Sequence, residues 1–301
     1  MSSGSRGNAS LVEFGSTLLM IDCGLPLKVV EARLREVGRE PRDVTALLVT
    51  HEHNDHAHGV VSFARRYNTP LWLTAGTASA IGGLASVNLM SPHRDFEIGD
   101  VDVQPYPVPH DAREPCQFVL GAGGKRLGIL TDAGHVTPHM CERLAPCDAI
   151  AVECNHDLDA LLSGPYPESL KVRIASRYGH LNNAQTTELL GRLDRSRLQW
   201  VAALHLSERN NSPERVRAAL GPALADERRP LHLATQDAPT AWLEVARWRG
   251  RRSSASAGPR AARTRSGELL RSLRCRAATH WRRERSSRPS SSVVWALLRW
   301  P

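Results

Sequence analysis

Three histidines and an aspartate stand within the seven residues Thr50-His51-Glu52-His53-Asn54-Asp55-His56. They directly follow Val44-Thr45-Ala46-Leu47-Leu48-Val49, a largely apolar run that reads as a buried strand. A helical pattern begins near Ala57. Four nitrogen and oxygen donors at the mouth of a strand form a metal site sooner than a polar loop, because a surface loop has no use for imidazole at this density. His51 and His53, two residues apart, point the same way off an extended end. Asp55 and His56 come after the chain turns and reach a second position. This one segment is therefore able to serve two metals.

A metal site also draws ligands from distant parts of a chain. His110 follows the strand-like Val101 to Val103 in Tyr106-Pro107-Val108-Pro109-His110-Asp111. Asp132 ends Arg126-Leu127-Gly128-Ile129-Leu130-Thr131, and His205 ends Trp200-Val201-Ala202-Ala203-Leu204. Each stands where an apolar run gives way to a loop. With the first segment they make a coherent set of seven: His51, His53, Asp55, His56, His110, Asp132 and His205.

That set resembles the His-x-His-x-Asp-His signature of the metallo-β-lactamase superfamily, with the later histidine, aspartate and histidine in the same order. More narrowly, the chain resembles the YycJ/WalJ-type group. The strings that carry this are Ser3-Gly4-Ser5-Arg6-Gly7-Asn8, Ile21-Asp22-Cys23-Gly24 and Glu153-Cys154-Asn155-His156-Asp157. Three more are Gly164-Pro165-Tyr166-Pro167, Gly179-His180-Leu181-Asn182-Asn183 and His205-Leu206-Ser207-Glu208-Arg209-Asn210-Asn211. The match runs over roughly residues 1 to 245. Asn182 stands where the group more often has serine and remains a good helix cap. Met1 falls close to the glycine-rich loop, so the short first strand of the group is expected to be missing. The resemblance implies an α/β fold, a four-layer αββα sandwich with the metals at one edge of the sheets.

The resemblance also implies a division of ligands. His51, His53 and His110 hold one metal, Asp55, His56 and His205 the other, and Asp132 bridges them. A divalent ion lowers the pKa of a bound water from about 16 to about 7 in good cases, which makes a nucleophile at neutral pH. Zinc suits the nitrogen-rich group, and the more oxygen-rich group also accepts manganese. The flavodiiron oxidoreductases of the superfamily resemble His-x-Glu-x-Asp. Here the middle ligand is His53 and Glu52 is out of that register, so hydrolysis is expected rather than oxygen or nitric oxide reduction.

Only 72 residues separate Asp132 from His205, too few for the inserted cap domain of the β-CASP nucleases. In that interval a helix from about Glu168 is stopped by Gly179, and a second helix follows. Asn182 with Gln185 reads as a capping-box variant. His180 thus stands before a helix N-terminus, where an imidazole and free backbone N–H groups together would suit a scissile phosphate or protonate its leaving oxygen. Lys171, Arg173 and Arg177 are expected on the preceding helix, either touching a nucleic-acid backbone or facing solvent. Asp55, Asp132 and His180 are the expected catalytic residues. The group resemblance implies a DNA exonuclease of 5′ to 3′ polarity. A small-molecule phosphodiesterase of PhnP type, a thioester or lactone hydrolase, and a metal-binding partner protein without turnover are the alternatives.

Charge marks where the expected hydrolase domain would end. The chain carries a net +8, yet residues 250–301 hold 13 arginines against Glu268 and Glu284, a local +11. The remainder has 26 basic and 29 acidic residues, a net −3. The expected domain is 1–248, followed by an Arg/Ser-rich tail, 249–301, too poor in apolar surface to offset its ordering entropy and so disordered. The tail reads either as an arm that grips phosphates or as an extension without a role. Its apolar end, Val293 to Trp300, is too short to cross a bilayer. No apolar signal segment opens the chain, and six scattered cysteines form no Cys-x-x-Cys pair. Both features suit a cytoplasmic protein with no membrane anchor.

Hydrophobic periodicity predicts strands near 10–14, 17–22, 44–50, 70–74, 101–106, 117–121, 126–131, 149–153, 199–204 and 231–234. It predicts helices near 26–37, 57–67, 75–84, 137–145, 168–177, 183–193 and 213–220. Two sheets with helices outside follow from that alternation.

Overall fold

Gly15, at φ 58, takes a left-handed turn conformation at no steric cost. It joins β1 (Ser10–Phe14) to β2 (Thr17–Ile21), antiparallel from Phe14↔Thr17 to Ser10↔Ile21, the hairpin expected there. The computed structural model describes residues 3–4, 6–225, 229–234, 236, 239–246 and 293–297. After β2 come α1 (Leu27–Glu36), β3 (Ala46–Leu48), α2 (Asn54–Ala57), α3 (Val60–Tyr67), β4 (Leu71–Leu73), α4 (Ala75–Ala80) and β5 (Asn88–Leu89). A meander follows, of β6 (Phe96–Ile98), β7 (Val101–Pro107), β8 (Cys116–Ala122) and β9 (Lys125–Leu130). Then come α5 (Pro138–Leu144), β10 (Ala149–Glu153), α6 (Leu158–Ser163), α7 (Glu168–Ile174), α8 (Asn183–Arg192) and β11 (Trp200–Leu204). The last elements are α9 (Pro213–Ala225), β12 (Leu231–Leu233), β13 (Trp242–Val245) and β14 (Val293–Leu297).

One sheet has the order β13-β14-β1-β2-β3-β4-β5 and the other β12-β11-β10-β9-β8-β7-β6. In the second sheet β9, β10, β11 and β12 are parallel. Parallel neighbours need crossovers, which α5 to α9 supply. Strand alternation divides the side chains between two cores. Phe118, Leu120, Leu127, Ile129, Ala149, Ala151, Ala202 and Leu204 face the first sheet. Val119, Leu130, Ile150, Val152, Val201 and Ala203 face helices, where Met140, Leu144, Leu189, Leu190, Val216 and Leu220 meet them. Val30 and Leu34 of α1, with Val60 and Phe63 of α3, join the first core. This is the αββα sandwich. Each fully buried Leu or Phe in it contributes about 1.5–3 kcal/mol relative to exposure.

Several boundaries move from expectation, each for a local reason. The β3 ladder stops at Leu48, because the residues beyond it leave the sheet to carry ligands. The helix expected from Ala57 is two: α2 begins at Asn54, with His53 as its N-cap, and Gly59 separates it from α3. Gly59 packs so closely that a Cβ there would lie 2.1 Å from the Leu25 carbonyl oxygen. α7 ends at Ile174, so Arg177 lies beyond it. The turn needs Gly179, where a Cβ would fall 2.2 Å from the Ile174 oxygen. The short β5, β6 and β13 and the helix α6 lack a periodic signal long enough to predict. Of the tail expected over 249–301, the described part is β14, paired with β1 and β13; the rest of that expectation lies outside the described residues. Among the described residues no helix is long and apolar enough to cross a membrane.

Candidate metal centre

The C-terminal ends of parallel strands bring the donors together. Leu130 of β9 pairs with Val152 of β10, and Glu153 of β10 with Leu204 of β11. Asp132, Glu153 and His205 therefore emerge at one edge within a residue or two of each other. Asp22, at the end of β2, faces the same region. Asp22, Asp132 and His205 have φ of 60, 53 and 56. The left-handed conformation costs a non-glycine residue about 1–3 kcal/mol and persists where surrounding contacts over-determine it. Here it turns three side chains out of their strands and into one site.

All seven expected ligands meet there. His51, His53 and His110 form one group able to hold an ion, with ring centroids 4.7–4.9 Å apart. Asp55, His56 and His205 form another. Asp132 lies between them: its Oδ2 is 3.0 Å from His56 Nε2, and its Oδ1 is 3.4 Å from His205 Nδ1 and 4.0 Å from His110 Nε2. Burial is nearly complete for His51, His56, Asp132 and His205.

Neighbours select which nitrogen faces the centre. Thr50 donates its backbone N–H and its hydroxyl to Asp22 at 2.8–3.0 Å. That hydroxyl then accepts from His51 Nδ1 at 3.0 Å, leaving Nε2 for a cation. His56 Nδ1 donates to Asp22 at 2.7 Å. His110 Nδ1 donates to the Gly179 carbonyl at 3.0 Å, and His205 Nδ1 to Glu153 at 3.0 Å. Such partners fix the tautomer and aim the ligand. Asn8 adds an amide hydrogen bond to Asp55 Oδ2 at 3.0 Å. His51 Nε2, His205 Nε2 and Asp132 Oδ2 are buried and make no hydrogen bond among the described residues. Unpaired buried polar atoms are costly, and Asp132 shares one ligand group with His51 and another with His205, so the residues fit divalent cations.

The electrostatics agree. Burial, and then the neighbouring His56, push His51 well below the usual histidine range, which keeps its lone pair available. Burial alone would lower His205, but Asp132, Asp55 and Glu153 outweigh it and raise the imidazole to about 10. Burial likewise opposes ionisation of Asp55, yet His56 and His205 hold it well below the usual carboxylate range. The carboxylates thus create a strongly negative interior that favours bound positive charge.

A cavity of ≈ 390 Å³ opens over this centre, with His53, Asp55, Asp132, His180 and His205 in its lining. His180 Nδ1 donates to Glu153 at 2.8 Å and lies 3.4 Å from Asp132 Oδ1. The backbone N–H groups expected to be free beside it are not. Those of His180, Leu181, Asn182 and Asn183 go to the Ile174 carbonyl, Glu153, Gln185 and the His156 carbonyl. The capping box at Asn182 and Gln185 is present, and it takes up the backbone N–H groups of those two residues. Among the three expected basic residues, Arg173 lines the cavity. Lys171 bonds the Leu162 carbonyl, and Arg177 lies against His135.

Asp22 and Glu153, recognised in sequence only as parts of motifs, are site residues by contact. Their signal is the one that marks Asp132 and His205, a polar residue ending an apolar run. Asp22→Ala is expected to lower stability by about 1–3 kcal/mol, since buried Thr50 and His56 lose their acceptor. It is also expected to weaken metal binding by about 10- to 100-fold. Denaturant unfolding and metal titration measure the two effects; unchanged metal affinity would rule out an aiming role for Asp22.

A family model described as a beta-lactamase superfamily domain matches residues 17–201. The chain belongs to the metallo-β-lactamase superfamily. Superfamily membership and the paired His/Asp clusters make it a metal-dependent hydrolase. Over 222 residues it is 35% identical to exodeoxyribonuclease WalJ of Streptococcus pneumoniae, covering 71% of this chain and 82% of that one. Over 233 residues it is 31% identical to exodeoxyribonuclease YycJ of Bacillus anthracis, covering 75% and 88%. Among solved structures, the metallo-β-lactamase fold protein YhfI from Bacillus subtilis shares the fold with a TM-score of 0.61 at 12% identity, covering 78% of this chain and 94% of that one.

Proposed function

We propose that this superfamily member is a two-metal DNA exonuclease working 5′ to 3′, in the cytoplasm. The observation that carries the reading is the cleft itself. Two cation-holding groups with Asp132 between them share a cavity with His180, an imidazole held in place by a buried carboxylate. The similarity to WalJ and YycJ over most of both chains supports DNA as substrate. The free state of the described cysteines, Cys23, Cys116, Cys141, Cys147 and Cys154, agrees with a reducing compartment.

His51, His53 and His110 would hold one ion, for which zinc is suited. Asp55, His56 and His205 would hold the other, where oxygen donors also suit manganese, and Asp132 would join them. Two such ions supply Lewis acidity and an acidic water for attack on a phosphodiester. The protein's own contribution is position and protons. Asp22 and Glu153 keep the ligand histidines in the correct tautomer, Asn8 steadies Asp55, and His180 presents Nε2 to the cavity as proton donor to the leaving oxygen.

The test is one panel. Metal-loaded protein is incubated with end-labelled single- and double-stranded DNA, a small phosphodiester and a thioester. The expected result is mononucleotide release starting at the 5′ end. Turnover of the small phosphodiester or thioester with DNA left intact would overturn the nuclease reading.

A further inference from the structure

The cavity has a second wall of different chemistry. Leu170, Arg173 and Ile174 line it from α7, three and four residues apart as on one helix face. Tyr166, half-buried, lines it from the loop between α6 and α7. The Arg209 guanidinium lies over the Tyr166 ring at 5.8 Å from its centroid, within cation–π range. Arg173 is anchored by Nε to Asp111 at 2.7 Å, and that hydrogen bond, with the Asp55 carboxylate adding to it, raises its pKa. An ion-holding floor thus meets an apolar and aromatic wall with a guanidinium beside it. None of these wall residues takes part in the ligand groups.

A phosphodiester alone gives Tyr166, Leu170 and Ile174 nothing to touch. A nucleotide does, since its phosphate belongs on the floor and its base has a flat apolar face. At ≈ 390 Å³ the cavity is of small-ligand size, so a base enters it only after leaving its stack. We propose that Tyr166, Leu170 and Ile174 form a subsite for the terminal nucleobase of a DNA strand, with Tyr166 as the stacking platform and Arg173 on an adjoining phosphate. The inference rests on the nuclease reading and deepens it. The protein then acts on frayed or unpaired ends and tolerates all four bases, because every base has a π-face.

The test uses single-stranded oligonucleotides whose end nucleotide is either intact or abasic. Stacking on an aromatic side chain is worth about 1–3 kcal/mol per base, so wild-type protein is expected to show KM about 5- to 150-fold higher for the abasic end. Tyr166→Ala should show a similar rise on the intact end and little further rise on the abasic one, while Tyr166→Phe restores the wild-type value. Equal efficiency of wild-type protein on both ends would overturn the subsite and leave the nuclease reading standing. An equal loss for Tyr166→Ala on both ends would also overturn it, because the ring would then act on something other than the base. No product from either oligonucleotide would remove the nuclease reading and the subsite together.

Discussion

Asp132→Ala is expected to strip both ions and abolish hydrolysis while leaving the fold intact. Its carboxylate reaches His56 on one side and His110 and His205 on the other, all within 4.0 Å. Without it the first group, three histidines, has no carboxylate at all, and the second has only Asp55. The residue sits at the strand edge beyond β9, with a left-handed φ of 53, so no packed side chain of either core is lost. Metal analysis should fall from two ions per chain to a trace, with circular dichroism unchanged. A wild-type chain holding a single ion, or a mutant with undiminished loading, would refute the bridging role.

His180→Ala is expected to keep both ions and lower turnover by about 10²- to 10⁴-fold, the range for lost general-acid help. Glu153 is fully buried and accepts from both His180 and His205. It therefore fixes Nδ1 of each ring and leaves His180 Nε2 to the cavity. With the nearby backbone N–H groups already bonded, the imidazole is the part of this segment left to act on substrate. The loss should shrink for a nucleotide ester of p-nitrophenolate, whose leaving oxygen needs no proton. Equal losses on both esters would favour phosphate binding over proton donation, and no loss on either would exclude both.

Glu153 shows what sequence reading could not reach. It ends the strand Ala149–Glu153 as Asp132 and His205 end theirs, yet nothing local says which side chains it will meet. That is set by the parallel register of β9, β10 and β11, a contact between residues 132, 153 and 205. Asp22 is similar. Its role depends on β2 lying beside β3, where it takes up Thr50 and His56. The free backbone N–H groups expected before α8 are bonded instead. The capping box was legible and takes the Asn182 and Gln185 amides, but the partners of His180, Leu181 and Asn183, on Ile174, Glu153 and His156, were not.

Periodicity determined two sheets with helices outside, the family resemblance added the αββα order, and polar residues at the ends of apolar runs marked the seven donors. Periodicity and donor type are local: strand and helix periods repeat within a few residues, and ligand type is written in side-chain chemistry. Tertiary structure alone decided which neighbours aim the ligand histidines, which nitrogen those histidines present, and that α7 and Tyr166 wall the cavity. These depend on strand register, on left-handed turns at Asp22, Asp132 and His205, and on burial that makes an unpaired donor too costly to leave. Such terms arise only when segments far apart in the chain are brought into contact.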